Sequence, residues 1–429
     1  MPLPFAYNGS FVELWRDKGG SIFVLSAVAI PVVLGMVGLS VDAGLWYLNK
    51  RMAQTQADAA AVSGAFERAR FNPTNVTPAA LNEAIRNGFH NALPNVITVL
   101  NPPTTGANAG DSSAVEVLIS AQQPVLFASL FLDNVVVKTR AVAAVQTTGT
   151  ACVLALDPSA NSALKSSGSS AVTMPGCVMA ANSASNTAID VGGSTTIAAE
   201  SLWTAGNYTR TGSGSMTLAK PATVNAWPID DPYAGLPFPM ISGCNSTYLG
   251  GSATLSPGTY CNMSIGPNAT VIFQPGTYYL NHTDFNISST ATVRCDCPGN
   301  SGVTFVLTSD GAPSTIGTVG INGGADVQLK APSNGSLYSG LVIYQDPRAP
   351  TMQSKKAQFN GGANMSITGA VYFPHQGIQW NGNNSPSGPS CTQIIGLTVE
   401  FTGNATINNS GCEEAGVQPI TITGVRIVE

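Results

Sequence analysis

One apolar run dominates the pattern of this chain. Residues 22–41, IFVLSAVAIPVVLGMVGLSV, contain no charge and no polar side chain beyond two serines. About 20 such residues, wound as a helix, cross a hydrocarbon core of roughly 30 Å. The run predicts a transmembrane helix over 21–48, opening at Ile22 and leaving the apolar register at Val41 and Asp42. Pro31 falls at mid-span, where a kink is tolerated. Trp46 and Tyr47 fall at the level of an interfacial aromatic belt. A cleaved signal peptide has a shorter apolar region ending in small residues at a cleavage site. No Ala-x-Ala follows Val41 here and helical pattern continues, so the expectation is an uncleaved anchor.

Beyond the run, Leu45, Leu48, Met52, Ala59, Val62 and Phe66 recur at helical spacing. This predicts a stalk helix over 49–72 that packs on its own domain and ends at Pro73 and Pro78. LNEAIRNGFHNAL (81–93) reads as an amphipathic helix. VITVL (96–100) and AVEVLIS (114–120) alternate as strands do. VLFASLFL (125–132) is apolar, and VVVKTRAVAAVQ (135–146) is a long β-branched run. Together these make a small α/β unit over 73–148.

From Cys152 the helical period disappears. Short β-branched segments recur between Gly, Asn and Ser: SAVTM (170–174), TTIAA (195–199), ATVIF (269–273), ATVRC (291–295), ADVQL (325–329), MSITG (365–369) and ATINN (405–409). Pro257-Gly-Thr-Tyr260 echoes Pro275-Gly-Thr-Tyr278. Short strands at such intervals suit a solenoid of stacked coils. The expected fold class is mainly β with an N-terminal membrane helix, residues 149–429 forming a right-handed parallel β-helix. An irregular β-sandwich is the alternative, because the spacing widens toward the C-terminus. Asn-x-Ser/Thr occurs at Asn207, Asn245, Asn262, Asn268, Asn281, Asn286 and Asn404. These read as turn residues, since asparagine tolerates left-handed backbone.

Charge narrows the function. Only 10% of the 429 residues are charged, at net −5. Residues 1–148 hold nine Lys+Arg and nine Asp+Glu, so the acidic excess lies beyond them. No basic face exists, which excludes nucleic acid as a partner. Arg16 and Lys18 before the span balance Lys50 and Arg51 after it, so positive charge does not orient the helix. The eight cysteines do, because all lie C-terminal to the span and suit an oxidising compartment. Residues 1–20 are therefore expected as a cytoplasmic tail and the rest outside. Spacing suggests the pairs Cys152–Cys177, Cys244–Cys261 and Cys391–Cys412, which leaves Cys295 with Cys297. A bond between residues two apart is strained and should open first.

Candidate chemistry is sparse. Asp230-Asp231 and the Asp346/Arg348 pair are the acidic sites that a carbohydrate-active β-helix could use, although each sits in a proline turn. Asp157-Pro-Ser159-Ala-Asn161 approaches a metal-adhesion motif of carboxylate and hydroxyl ligands. Its fifth position is Asn161, and no helix follows. His90, His282 and His375 lack ligand spacing. No catalytic residue, cofactor or metal is expected.

Arg16, Gly19-Gly20, Pro31, Val41-Asp42 with Gly44, and Gln56-Ala57-Asp58-Ala59-Ala60-Ala61 combine in one segment, 16–65. That segment resembles the N-terminal region of TadG-like proteins of the bacterial tight-adherence (Flp-type) pilus assembly system. Residues 150–429 resemble the Gly/Asn-rich regions that some members carry in place of a von Willebrand A domain. Pilin-like relatives have glutamate five residues after a processed glycine, whereas Leu25 stands there here. The resemblance implies a non-enzymatic, single-pass inner-membrane protein with its C-terminal domain in the periplasm or at the cell surface. Its implied partners are other pilus assembly or envelope proteins and the membrane, with a surface glycan as a further class. The alternative function is a tethered β-helix protein that binds or cleaves carbohydrate.

Overall fold

The computed structural model describes residues 20–429 except 71, 245, 249–250, 361–364, 382–390 and 409–410. The expected tail, Asn245 and part of the ATINN segment thus lie outside the described residues. The chain divides into two compact units. One runs to Thr147 and regains Thr423–Glu429; the other is Thr148–Ile422. The expected boundary near residue 148 is therefore crossed a second time, by the last seven residues.

In the first unit a single helix, α1 (Gly20–Ala69), runs through both the expected span and the expected stalk. The helix continues through Pro31. Its two halves differ in burial. From Phe23 to Val41 nearly every side chain is exposed, whereas Ala53, Ala57, Ala60, Ala61 and Ala65 are buried. Leu48 and Met52, expected in the packed stripe, are exposed. The stripe is made of small residues instead, which lets the helix approach its neighbours closely. A Cβ at Gly64 would lie 3.0 Å from Val115 Cγ1.

The second helix, α2 (Val76–Arg86), begins and ends earlier than the 81–93 pattern predicts. Pro78 lies in its first turn rather than ending the preceding unit, because N–H groups there have no helical partner to lose. The helix stops at Asn87-Gly88: Gly88 takes φ +86°, and its N–H reaches Ile85 O. Strands β1 (Val96–Leu100), β2 (Ala114–Gln123) and β3 (Val135–Ala155) pair antiparallel, with Ile97 opposite Ile119 and Val117 opposite Ala141. Val115, Val117 and Ile119 face the alanine stripe in one buried cluster. The Glu116 carboxylate, on the opposite side of the strand, is fully buried and paired with Arg140, which also binds Glu429.

The second unit is a parallel β-helix with three strands per coil, so the pairing excludes the sandwich. One coil runs through Gly276–Asn281, Phe285–Ile287 and Thr292–Cys295. Each strand pairs in parallel with its counterpart in the next coil: Tyr278 with Phe305, Ile287 with Ile321, Val293 with Val327. The expected β-branched segments supply the third strand of successive coils. Their widening spacing comes from loops inserted at coil corners, such as 309–318 and 346–351, while Phe305–Leu307 stay in register with Ile343–Gln345 and Gln328–Lys330 with Ser366–Thr368. The two Pro-Gly-Thr-Tyr echoes stack two residues out of step, Gly258 pairing with Tyr278. A shift of two keeps side chains on the same face, and the rings of Tyr260 and Tyr278 lie 5.9 Å apart. Inside the coils aromatic rings stack, Phe285 on Phe305 at 4.3 Å and Phe359 on Trp380 at 4.9 Å.

The coils are not stacked in chain order. Residues 151–223 wind toward one end. The chain then returns along the outside and winds again from Ser246 to Thr406. The last of these coils docks on the first of the earlier set: Ile394 beside Val153, Val399 beside Leu164, Ala405 beside Val172. At one corner Gly168, Gly193 and Gly212 all take positive φ, and a Cβ on Gly193 would lie 2.4 Å from Gly168 O. Only glycine fits such a stacked left-handed corner. Asn268 also has positive φ (60°), as a turn asparagine does, whereas Asn262, Asn281 and Asn286, expected as turn residues, lie within strands.

Candidate functional site

Of the residues singled out in the sequence, the structure builds most around Asp42. It lies on α1 just past the apolar run, and it is 1% exposed. Its carboxylate accepts from Ala128 N at 2.6 Å and Leu126 N at 3.3 Å. A carboxylate here serves as the acceptor that the turn over Ala128–Leu130 otherwise lacks. Four residues earlier on the same helical face, Gly38 makes room for the loop: a Cβ there would lie 2.6 Å from Phe127 Cγ. Four residues later Trp46 Nε1 donates to Pro124 O at 3.0 Å, and Asn49 Nδ2 reaches Gln123 Oε1 at 2.6 Å. Residues 123–128 are thus clasped along one face of α1 by Gly38, Asp42, Trp46 and Asn49. The apolar VLFASLFL segment is therefore a docked loop, whose Leu126, Phe127, Phe131 and Leu132 remain exposed. The sequence signal was a lone acid at the end of an apolar run and a second apolar run without strand alternation. Ile22 and Pro31 lie on the same helix before the clasp, and Val41 lies between its members Gly38 and Asp42.

The other candidates are engaged structurally. Asp231 accepts from Tyr372 Oη at 2.7 Å and from Tyr233 N at 3.0 Å. Burial, with the Asp231 carboxylate beside it, pushes the Tyr372 phenol well above its usual range. Asp346 is fully buried; it accepts from Thr308 Oγ1 at 2.7 Å and is forked by Arg348, whose Nη2 lies at 2.6 Å. Asp157 closes a turn on Ser159 N and Ala160 N at 2.9 and 2.8 Å. Asp230 and His90 are exposed. His282 bonds Asp310 and Thr315, and His375 bonds Ala349 O at 2.8 Å. The Gly243 N–H, helped by His282, holds the Asp310 carboxyl below its ordinary range. Among the described residues, no three His, Cys, Asp or Glu side chains gather to hold a metal ion.

Much of this polar bonding belongs to the return segment of the solenoid. Between Leu218 and Ser246 the chain runs across the outer face of one sheet. Asn182, Tyr372 and Asp310 hold it in turn at Ile229, Asp231 and Gly243. Arg348 lies 4.9 Å over the Phe238 ring. Tyr344 and Tyr372 stack beneath it with centroids 5.3 Å apart, and Tyr233 of the segment meets Tyr372 edge-on at 5.4 Å. The cysteines join as Cys152–Cys177, Cys244–Cys261, Cys295–Cys297 and Cys391–Cys412.

These features define a disulfide-bearing parallel β-helix protein with, among the described residues, one helix long and apolar enough to cross a membrane, near the N-terminus. Residues 20–69, the whole of α1, match the family model described as "Putative Flp pilus-assembly TadE/G-like", so this N-terminal region is TadE/G-like. No curated protein and no solved structure matches the chain.

Proposed function

We propose that the protein is a single-pass envelope component of a Tad/Flp-type pilus assembly or adhesion apparatus. The apolar half of α1 spans the inner membrane, and the β-helix lies on the periplasmic side or at the cell surface. It acts there by contacts with other pilus assembly or envelope proteins, not by catalysis.

The observation that carries this reading is the division of α1. The family match coincides with one helix whose first half is bare and apolar and whose second half is buried through alanines. A bare apolar surface of this length is stable in lipid and costly in water. Disulfides support an oxidising compartment for the β-helix.

A reporter fused after Glu429 tests the orientation. Alkaline phosphatase should be active and a cytoplasmic fluorescent reporter dark; the reverse result ends the reading. The full-length protein should also release no reducing ends from polysaccharides. Release abolished by Asp346→Ala or Asp231→Ala would establish a catalytic role instead.

A further inference from the structure

We propose that the 125–132 loop is a second lipid-contacting element, seated in the membrane interface beside the span. The inference rests on the reading of α1 as a membrane anchor. The loop and the membrane segment are continuous: Phe127 lies against Gly38, three residues inside Val41. At 1.5 Å per residue the contact is about 4.5 Å inward of the end of the apolar run. A side chain held at that depth is beside acyl chains or headgroups.

The chemistry of the loop fits that place. Phe131 is 86% exposed, and Leu126, Phe127 and Leu132 are exposed with it. At the same end of the sheet, Val136 pairs with Gln122, and Gln122 N bonds Asn95 Oδ1, which brings the exposed Leu93 segment alongside. From Ala121 to Val137 the sequence carries one charge, Asp133. Contiguous exposed apolar surface of this kind marks an interaction site. Part of the loop backbone also meets the condition that lipid imposes, internal satisfaction of polar groups. Asp42 accepts two of its N–H groups, Trp46 donates to Pro124 O, and Phe131 N and Leu132 N both bond Ala128 O at 2.9 Å. Ser129 Oγ caps Leu126 O at 2.8 Å. Asp42 thereby puts a buried carboxylate at the membrane border to a positioning use.

The test is photolabelling of the full-length protein in nanodiscs of phosphatidylglycerol and phosphatidylcholine doped with a diazirine phospholipid, followed by peptide mapping. Adducts should appear both on the span and within 121–137. Phe131→Ser should lower the loop adducts roughly tenfold while leaving span adducts unchanged, given what burying one phenylalanine contributes. Span adducts without loop adducts overturn the inference and spare the anchor. Absence of span adducts overturns the anchor itself. In a parallel sample treated with a bifunctional diazirine crosslinker, crosslinks between two copies that map to 126–132, with lipid adducts absent there, would make a second chain the occupant and overturn the proposal.

Discussion

Ile394 and Val153 are parallel neighbours in one sheet, each fully buried. Through them the later set of coils is joined to the earlier set, and Lys165 reaches Glu400 at 3.6 Å across the same junction. One continuous hydrophobic core therefore runs through strands far apart in the chain. Ile394→Ala should cost about 2–5 kcal/mol by opening a cavity in that core. Hydrogen exchange should quicken in 151–155 as well as in 392–396. Quickening confined to 392–396 would mean the two sets of coils are energetically independent.

Asn182 holds Ile229 from both sides, donating to its carbonyl at 2.8 Å and accepting from its N–H at 2.7 Å. Asn182→Ala strips both bonds from the return segment at about 1–3 kcal/mol. Limited proteolysis should then cut within 225–243 faster than in the parent, with the coils intact. An unchanged cleavage rate would show that the aromatic contacts alone retain the segment.

Asp42→Ala should release the 124–132 loop, since two backbone N–H groups lose their acceptor; a lost cap of this kind is worth about 1–2 kcal/mol. Amide exchange at Leu126 and Ala128 reads the release. Gly38→Leu should act in the same direction through the clash with Phe127. Protection retained in both variants would sink the clasp as a stabilising device.

Arg140 lies between Glu116 and Glu429. Burial works to raise the Glu116 carboxyl, but the Thr104 N–H, the Arg140 guanidinium and Thr105 outweigh it and hold the group below its ordinary value. Arg140, with Asn108, lowers Glu429 as well. A carboxylate lowered in the folded state contributes stability above its unfolded value of about 4.3, and that contribution is lost as pH falls through the folded value. Acid should therefore weaken the first unit below about pH 4.3. Arg140→Met should cost about 2–4 kcal/mol at neutral pH, the partly exposed guanidinium discounting the full penalty of an unpaired buried carboxylate. The variant should also lose less on acidification. A parallel pH profile in variant and parent would contradict the assignment.

The disulfides should rank by the loop each closes. Cys391–Cys412 bridges a separation of 21 residues and begins at a fully buried cysteine, whereas Cys295–Cys297 bridges two residues at a half-buried edge. In the chain-entropy account the longer loop contributes roughly 3 kcal/mol. Replacing Cys391 and Cys412 with serine should lower Tm by roughly 5–10 °C. Replacing Cys295 and Cys297 should lower it far less. Equal losses would show that the short pair ties more than its own turn.

The sequence by itself determined what depends on near neighbours. An uninterrupted apolar run makes Ile22–Val41 a span candidate whatever surrounds it. Two-residue alternation places the strand at Val96–Leu100, and β-branched segments between turn residues place those at Thr270–Phe273 and Thr292–Cys295, almost to the residue. The apolar pattern that continues to Leu93 predicts a later end for α2 than Asn87-Gly88 permits, because the helix stops where Gly88 takes left-handed backbone. Only tertiary structure decided which strand lies beside which. Strand pairing is a long-range choice, and nothing local to Ile394 indicates Val153 rather than the next strand along the chain. The same holds for Asp42, whose partners Leu126 and Ala128 come from a distant loop, and for α1, whose packed stripe is alanine because close approach to β2 excludes the larger Leu48 and Met52. Hydrophobic period sets which side chains can be buried; the distance between the elements sets which of them are.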